Sequence, residues 1–570
     1  ILAQVPRLRT RHLHHFIAMA YYDVERATVL KQLQGGEETA KLQALAQVSD
    51  LGEISATALD LAPQVAELLE DPSDEVQLLA LEALGSMGEA VVDFAPAIVE
   101  CLRSEDYRKR CHAVGALGMM ERHALRYCSD VAACLNDKSE VVRAAASMAL
   151  GSMAAEDYVK DVGKCLGDVS SDVVIAALAA LPKLGPDAKH YAEMVARKLE
   201  DANRDVRFDA VCYFTEFVDL VPQHKEAICK LLTDEDSKVR QALATLFGAV
   251  QDGEETLADA AAEVLAHQDP RFKTTAALAL GALGEKAKRQ AAALVVLLED
   301  STEDRSQDVN CVAGIEARPP NSARIPACAA MQALVDVGDE KCGARVAKLL
   351  VDEGAALDVR AMAAWTLGEI GGPFESELVT ALKSQQVQLR AQAASALGKL
   401  AKRRAPTAEI AGQIAELLVD RSPIVRAAAS GALGCMGDEG AAFTDELLKL
   451  FLDRSPAVRA ATIKAMAGVG IKGQMFAADV ARKMYEDVPE VKIACVEALA
   501  RMGDRGAAFG DEVAKLARDQ DSIVRIAALE ALAAMGEETS SVFVLAATQA
   551  QNDKLQEVRD AANKLLSAGV

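Results

Sequence analysis

The sequence predicts an all-α solenoid built from about fifteen repeats of two helices, and two observations lead to that prediction. The stretch DRSPIVRAAASGALGCMG, which begins at Asp420, returns as DRSPAVRAATIKAMAGVG at Asp453, 33 residues later. A fixed period of this size indicates units that stack in a row, because one unit alone cannot bury its apolar faces. A small residue, most often a glycine after leucine, recurs at about the same interval, at Gly85, Gly118, Gly151, Gly248, Gly281, Gly368, Gly398 and Gly434.

Each unit contains the signals of two helices. Ser422 suits the N-cap of the first helix, and Pro423 suits its first position, where the missing N–H costs nothing. We expect Gly437 to end this helix in a left-handed conformation, and we predict a second helix from Thr444 to Asp453. The apolar residues of the first helix follow helical spacing at Val425, Ala428, Ala429, Ala432, Leu433 and Met436.

The repeated pattern D-x-x-x-x-V-R-x-A-A-x-x-A-L-G-x-x-G resembles the HEAT repeat of the armadillo-like α-solenoids, and most closely the HEAT-like repeats of phycobilisome lyases. Copies begin at Asp137, Asp358 and Asp521, and weaker ones at Asp205 and Asp236, so the resemblance covers residues 40–570. It implies a right-handed superhelix whose second helices line a concave surface. It also implies a structural ladder of one Asp and one Arg per unit that pair along the stack, here Asp137 and Arg143, Asp201 and Arg207, Asp234 and Arg240, Asp420 and Arg426, Asp453 and Arg459, and Asp519 and Arg525.

The repeat interval breaks by a large margin once, between Gly281 and the equivalent Val335, a step of 54 residues rather than 33. We therefore predict four segments: an N-terminal arm and helix (1–39), a first solenoid segment (40–300), an inserted loop (301–325) and a second solenoid segment (326–570). The prolines of the loop exclude a regular helix. The loop is either a partner-contacting element or a tolerated insertion, and its candidate contact residues are Arg318, Pro319, Pro320, Asn321 and Arg324.

Other residues that depart from the repeat are further candidates for contacting a partner. Trp365, the one tryptophan of the chain, either packs between units or anchors an interface, a role in which tryptophan is enriched. Phe208 and Tyr213 replace alanines, and they either form an exposed aromatic patch or fill the core. Two basic stretches are either solvated or meet a partner. Their residues are Lys402, Arg403 and Arg404 and, in an N-terminal arm that could dock on another subunit, Arg7, Arg9 and Arg11.

Composition restricts the classes of partner. The chain carries 62 Lys and Arg against 85 Asp and Glu, a net charge of −23. Such a surface would repel a nucleic-acid backbone and attract basic surfaces of partner proteins. No apolar run in the sequence approaches the roughly 20 residues that span a bilayer. The twelve cysteines show no disulfide spacing, which indicates reduced thiols in an intracellular compartment, either the cytoplasm or an organelle.

The sequence lacks the usual catalytic motifs. It has no GKS or GKT phosphate loop and no G-x-S-x-G nucleophile elbow, and no histidine precedes glutamate, the pair that HEAT-like deoxyhypusine hydroxylases need. We predict no cofactor, no metal and no enzymatic activity. The expected function is a scaffold or adaptor that holds several protein subunits of a larger assembly along a curved, acidic helical surface. The alternatives are an enzyme-associated subunit such as a bilin-lyase-like chaperone, and a regulatory platform of a phosphatase or transport complex.

Overall fold

The computed structural model of the chain describes residues 28–35, 37–51, 56–250, 254–302, 325–485, 488–535, 541–551 and 553–568. These residues form helices joined by turns and contain no β-strand, which confirms the predicted all-α fold. They divide into two compact units, one up to Gly253 and the other from Glu254.

In the first unit, long helices alternate with connecting helices, and each long helix packs beside the next long helix. This arrangement is the predicted two-helix repeat. The long helices span Glu38–Leu51, Asp74–Ser86, Tyr107–Met119, Glu140–Ser152, Ser171–Ala180, Arg204–Glu216 and Ser237–Ala249. The connecting helices span Ala56–Glu67, Ala95–Cys101, Cys128–Ala133, Val159–Lys164, Ala192–Lys198 and Val221–Lys230.

The second unit repeats this arrangement. Its long helices span Pro270–Ala282, Pro326–Asp336, Leu357–Ile370, Val387–Arg403, Pro423–Gly434, Pro456–Gly468, Pro489–Arg501, Ser522–Ala534 and Gln556–Ala568. Its connecting helices span Glu254–Val264, Ala291–Leu297, Gly343–Val351, Glu375–Leu382, Ala408–Ala415, Thr444–Lys449, Ala477–Lys483, Gly510–Leu516 and Ser541–Ala550. Short helical turns precede three of them, at Gly437–Ala441, Gly470–Gln474 and Asp504–Ala507.

The ends of one long helix test the sequence signals directly. Ser422 occupies the N-cap position and Pro423 opens the helix, as predicted, but the Ser422 side chain makes no capping hydrogen bond. The helix ends at Gly434 rather than at Gly437, so the predicted end was three residues too late. Gly437 does adopt the left-handed conformation, with φ of +55°, but it uses that conformation to begin the next helical turn.

Glycine and alanine bring neighbouring long helices into close contact. A Cβ atom built on Gly398 would lie 2.7 Å from the Cα of Ala432, and one built on Gly151 would lie 2.9 Å from the Cα of Ala180. A real Cβ atom does not fit at such distances, so the recurrent glycine is required by packing between repeats. The same contact joins Gly85 to Ala116, Gly118 to Ala149, Gly281 to Ala333, Gly368 to Ala396 and Gly434 to Ala465.

A recurrent aspartate forms the turn that precedes many of the long helices. The Asp453 carboxylate accepts a hydrogen bond from the Ser455 backbone N–H at 2.9 Å, and Nη1 of Arg459 donates to the Asp453 backbone carbonyl at 2.7 Å. Aspartate suits this position because its short side chain reaches the backbone two residues on. Within a repeat, the arginine thus binds the carbonyl of its own turn.

The same arginines join one repeat to the next. Nε and Nη2 of Arg426 each donate to the Asp453 carboxylate at 2.8 Å, while Nη1 binds the Asp420 carbonyl. The planar guanidinium is suited to such paired bonds. In such a pair the carboxylate is bound by the arginine of the preceding repeat. The equivalent pairs are Arg110–Asp137, Arg143–Asp168, Arg207–Asp234, Arg390–Asp420 and Arg525–Asp553.

Some ladder positions depart from the arginine–aspartate pair. Asp519 is bound by Lys492 at 2.7 Å. Asp201 has a lysine at 3.6 Å, Lys198, because the preceding repeat carries Val174 where an arginine would stand. Arg240 binds the carbonyl of Asp234 at 2.6 Å. Of the twelve ladder residues named from the sequence, the six aspartates lie at the turns between connecting and long helices, and the six arginines lie in the first turn of the long helices.

The stack continues past the long insertion. The Ala327 N–H donates to the Asp300 carbonyl at 2.9 Å, and the Asp300 carboxylate is bound by Lys273 at 2.6 Å. Gly281 and Ala333 make the usual contact between long helices. Residues on either side of the insertion are therefore in the same repeat register as elsewhere in the chain.

Candidate partner-binding surface

Four consecutive long helices of the second unit line one groove of about 850 Å³. They are Val387–Arg403, Pro423–Gly434, Pro456–Gly468 and Pro489–Arg501. Most of the residues that line it are small and form what we call its floor, so the helix backbones lie close to the groove. Cys435 and Ile493 also line it. The floor residues are Ser395, Gly398, Ala427, Ala428, Gly431, Ala432, Gly434, Ala457, Ala460, Ala461, Ala465 and Gly468.

Gly431 distinguishes the groove floor from ordinary close packing. It lies in the interior of its helix, where glycine costs about 1 kcal/mol relative to alanine. A Cβ atom built on Gly431 would meet nothing within 4 Å, whereas one on Gly434 would clash with Ala465. Packing therefore requires Gly434 and leaves Gly431 unexplained. At Gly431 the helix backbone is open to a ligand that approaches along the groove.

The groove has a predominantly cationic rim on an acidic protein. Lys399, Lys402, Lys464 and Arg501 line it, with Glu490 as the one acidic lining residue of the described chain. Lys399 pairs with Glu369, and Lys464 pairs with Glu497 at 2.8 Å. Lys402 and Arg501 are exposed and make no ion pair with another described residue. Two cations of the rim are therefore available to a carboxylate from outside.

Trp365 does not line the groove but lies next to one of its lysines, Lys399. Its side chain is 8% exposed, and the Lys399 ammonium lies 5.4 Å from its ring centroid. A cation over an aromatic face is attracted by the ring electrons. Of the two interpretations of Trp365, the geometry favours packing within the repeats, with Lys399 connecting the ring to the groove.

The aromatic residues of the Arg204–Glu216 helix do not form the exposed patch that the sequence allowed. Tyr213 is 1% exposed, and its hydroxyl donates to the Ala188 carbonyl at 2.7 Å. Its ring packs edge-on against Phe214 and Phe217, which are both buried. Phe208 is half-buried. Tyr213 fills the core because its hydroxyl satisfies a buried carbonyl, and this corrects its assignment as a surface contact.

The three basic residues at the end of the Val387–Arg403 helix have different surroundings. Lys402 lies in the groove, while Arg404 pairs with Glu375 at 3.3 Å. Arg403 is exposed, with its guanidinium close to the backbone at Gly371. The other predicted contact residues lie outside the described residues: Arg7, Arg9, Arg11, Arg318, Pro319, Pro320, Asn321 and Arg324.

Sequence reasoning missed Lys464 and Arg501, although the repeat contained a signal for both. Lys399 and Arg501 each directly follow the recurrent small residue of their repeats, and Lys464 lies three residues before it. Equivalent positions of stacked helices face the same way, and positions four residues apart lie on the same face of a helix. These three residues therefore share one surface. An alignment of the repeats, searched for basic residues on this face, would have identified all three.

The described residues present no cluster of side chains that is suited to metal binding. No three of their His, Cys, Asp and Glu side chains lie close enough together to hold a metal ion. The described cysteines form no disulfide bond with one another, and burial raises the pKa of Cys134 and of Cys229 to about 11. None of the described helices combines the length and the apolar character that a bilayer crossing requires.

Comparisons with known proteins agree with this architecture. Several solved structures, including the following three, are similar over most of the chain. Importin-β in an ammonium sulfate condition has 14% identity, covers 99% of this chain and 86% of its own, and has a TM-score of 0.64. Yeast importin-β (Kap95p) has 14% identity, 96% and 87% coverage, and a TM-score of 0.56. The karyopherin Kap121p, bound to the extreme C-terminus of the protein phosphatase Cdc14p, has 12% identity, 96% and 70% coverage, and a TM-score of 0.62.

At such low identity these structures share the fold alone. No curated protein matches the sequence. The sequence profile of HEAT repeats matches residues 61–127, 226–309, 375–467 and 478–567, more than half of the chain. This match does not support the narrower resemblance to phycobilisome lyases. The chain therefore belongs to the family of proteins built from HEAT repeats.

Proposed function

We propose that this protein is a non-enzymatic scaffold or adaptor that binds partner proteins on the exposed face of its helical repeats as part of a larger assembly. The observation that supports the proposal most is the groove of the second unit, with its small-residue floor and its unpaired Lys402 and Arg501. Small side chains let a polypeptide approach the helices closely, and the cations supply attraction for acidic side chains.

We propose that differently charged parts of the surface bind different kinds of partner. The net charge of −23 favours partners with basic surfaces over most of the molecule, through long-range attraction. The groove is a local exception, and we propose that it accepts an acidic segment. The candidate contacts of the N-terminal arm and of the inserted loop at 301–325 remain part of this proposal, as does the division into two solenoid segments at 40–300 and 326–570.

Related folds support a binding role. Solved structures of Kap121p contain bound Pho4p or the extreme C-terminus of Cdc14p, and Kap95 is known in a complex with Nup1. A HEAT array of this kind thus holds segments of other proteins. As the second candidate function we propose a regulatory platform of a transport complex, one of the alternatives that the sequence left open. The described cysteines, which are largely buried and form no disulfide with one another, are consistent with our proposal of a reducing intracellular compartment.

Affinity capture with the full chain tests the proposed function. Tagged wild-type protein and a Lys402→Glu/Arg501→Glu variant are incubated with native extract, and recovered proteins are quantified by mass spectrometry. We expect the variant to lose at least one partner by about tenfold, because two cations at the binding surface are reversed. A Lys449→Glu/Lys472→Glu variant is the matched control, since both lysines are exposed, lie outside the groove and change the net charge equally.

The two variants together decide the proposal. Recovery that falls with the groove variant alone, and that also falls at raised salt, supports a charge-guided binding surface. Equal recovery by all three proteins, or equal losses in both variants, would contradict it. Deleting residues 303–323 should leave helical content nearly unchanged and reduce partner recovery if the insertion contacts a partner.

A further inference from the structure

A second surface of the second unit carries exposed apolar residues in register with the repeat. Val419, Leu452 and Tyr485 are spaced by 33 residues. Val419 and Leu452 directly precede the turns that lead into the next long helices, and Tyr485 occupies the equivalent position of the following repeat. Their exposed fractions are 86%, 79% and 54%. In most other repeats the same position is polar or charged, as at Glu70, Arg103, Asn136, Glu200, Thr233, Glu299, Lys383 and Arg518.

This pattern differs from the usual scatter of exposed apolar side chains. Single apolar residues on a surface are normal, but aligned ones are typical of interaction sites. The three residues occupy one edge of consecutive repeats, so a single extended ligand could touch all of them. Their alignment follows from the repeat period and needs no further assumption.

Free cations accompany the apolar residues. Arg421 and Arg454 follow Val419 and Leu452 by two residues, and both side chains are exposed, with no ion pair or hydrogen bond to another described residue. The adjacent carboxylates do not neutralise these two arginines, because Asp420 is bound by Arg390 and Asp453 by Arg426. The edge therefore alternates apolar and positively charged side chains.

A recess lies at the first of these turns. It has a volume of about 750 Å³, and its lining includes Val387, Val419, Arg421 and Ser422. An apolar side chain could enter this recess while a neighbouring carboxylate reaches Arg421. We define the edge strip as Val387, Val419, Arg421, Leu452, Arg454 and Tyr485.

We propose that the edge strip binds an extended segment of a partner protein in which an apolar residue recurs at every third position with acidic residues between. Charge complementarity selects the acidic residues, because Arg421 and Arg454 are unpaired on a chain with a net charge of −23. An acidic segment would be repelled by most other parts of such a surface. The proposal extends the proposed partner-binding function to a surface that shares no residue with the groove.

Helix spacing favours the three-residue period. Packed helices lie about 8–10 Å apart, and the contacts of Gly398 with Ala432 and of Gly434 with Ala465 are close ones. A polyproline II segment turns once every three residues and advances about 9 Å in doing so. Successive apolar residues of such a segment would meet successive repeats with the same orientation.

Fluorescence anisotropy with a defined peptide tests this proposal. The probe is a labelled nonapeptide of three Leu-Glu-Pro triplets, titrated with the full chain at low salt. Peptides of Leu-Lys-Pro and Ser-Glu-Pro triplets test the need for acidic and for apolar side chains. We expect both to bind about tenfold more weakly or worse, since the first reverses the charge and the second removes the apolar contact.

Protein variants locate the binding. Leu452→Ser and Arg421→Glu/Arg454→Glu should each weaken the Leu-Glu-Pro peptide by about tenfold. Ile471→Ser, an exposed residue outside the strip, and Lys402→Glu in the groove should change its affinity less than about twofold. Absence of binding, equal binding of the Leu-Lys-Pro peptide, or loss of binding in Lys402→Glu alone would overturn the proposal, and none of these results depends on the partner recovered by the groove.

Discussion

Gly434 lies directly against Ala465 of the next long helix, so closely that a Cβ atom on Gly434 would be 2.6 Å from the Ala465 Cα. Gly431, in the same helix, faces open space. One helix thus carries a glycine that packing requires and another that packing does not. The pair separates two roles of glycine in a HEAT array, close approach of helices and an open binding surface.

Substitution of these glycines should have opposite effects on stability. Gly434→Ala should lower the free energy of unfolding by about 1–3 kcal/mol, because the added methyl group clashes with the Ala465 backbone. Gly431→Ala should raise it by up to about 1 kcal/mol, because alanine is the better helix former and no atom opposes it. Urea unfolding monitored by circular dichroism measures both. Equal changes in the two variants would refute the packing difference.

The ladder arginine should contribute more than an ordinary surface charge. Arg426→Ala leaves the largely buried Asp453 carboxylate without its cation, and we expect a loss of about 3 kcal/mol in the free energy of unfolding. Arg426→Lys should cost only about 1 kcal/mol, because Lys492 forms the equivalent bond to Asp519. Arg421→Ala is the control, since that exposed side chain lacks a described partner. If all three variants unfolded alike, the ladder would have no stabilising role.

Acid should weaken the same ladder. The hydrogen bonds from Arg143 hold the pKa of Asp168 below its usual value of 3.8, burial opposes this shift, and the Ser170 N–H supports it. A carboxylate with a lowered folded-state pKa stabilises the fold above about pH 4, and this contribution is lost as the pH falls through the folded-state pKa. Asp168→Asn should therefore lose less stability than wild type between about pH 5 and about pH 3. Urea midpoints across this range provide the measurement.

An exposed carboxylate is the matched control for this experiment. Asp172 lies in the helix that follows Asp168 and makes no described side-chain contact. Asp172→Asn should follow the pH dependence of the wild type. If the stability of Asp168→Asn also fell with pH as steeply as that of the wild type, the pair of Asp168 with Arg143 would not couple folding to protonation.

The repeat frame was predictable from the sequence because each unit has the same packing problem. A serine followed by a proline, as at Ser422 and Pro423, is typical of the start of a helix when an apolar stripe follows. The recurrent glycine lies where neighbouring long helices touch. The pairing between repeats was less accessible. Sequence associates Asp453 with its own Arg459, whereas the carboxylate is bound by Arg426, 27 residues earlier. Which arginine reaches a given carboxylate depends on how the units stack.

The candidate site was harder to predict for the same reason. Lys402 was identified within a run of basic residues, but Lys464 and Arg501 are isolated in sequence and meet it only through stacking. Tyr213 was wrongly allowed to be exposed, because residue type alone does not reveal that the Ala188 carbonyl needs a donor. Local sequence signals were therefore sufficient to predict the repeats. The residues that meet on the surface depend on contacts between repeats, which those signals do not reveal.

Trp365 offers an intrinsic probe of the groove. Because its side chain is buried, its emission should shift to longer wavelength on unfolding, and acrylamide should quench it weakly in the native state. Lys399→Ala should increase quenching, since Lys399 covers the ring, while Lys472→Ala should not. A segment bound in the groove should change the emission intensity through Lys399. Strong quenching in the native wild type would show that Trp365 is exposed.

Cross-linking mass spectrometry of the full chain with its captured partner tests the central claim most directly. If the groove binds partner proteins, lysine-reactive cross-links to the partner should concentrate on Lys399, Lys402 and Lys464, and should decline in the Arg501→Glu variant. Cross-links confined to lysines outside the groove, such as Lys449, Lys472 and Lys515, and unchanged in that variant, would contradict the account.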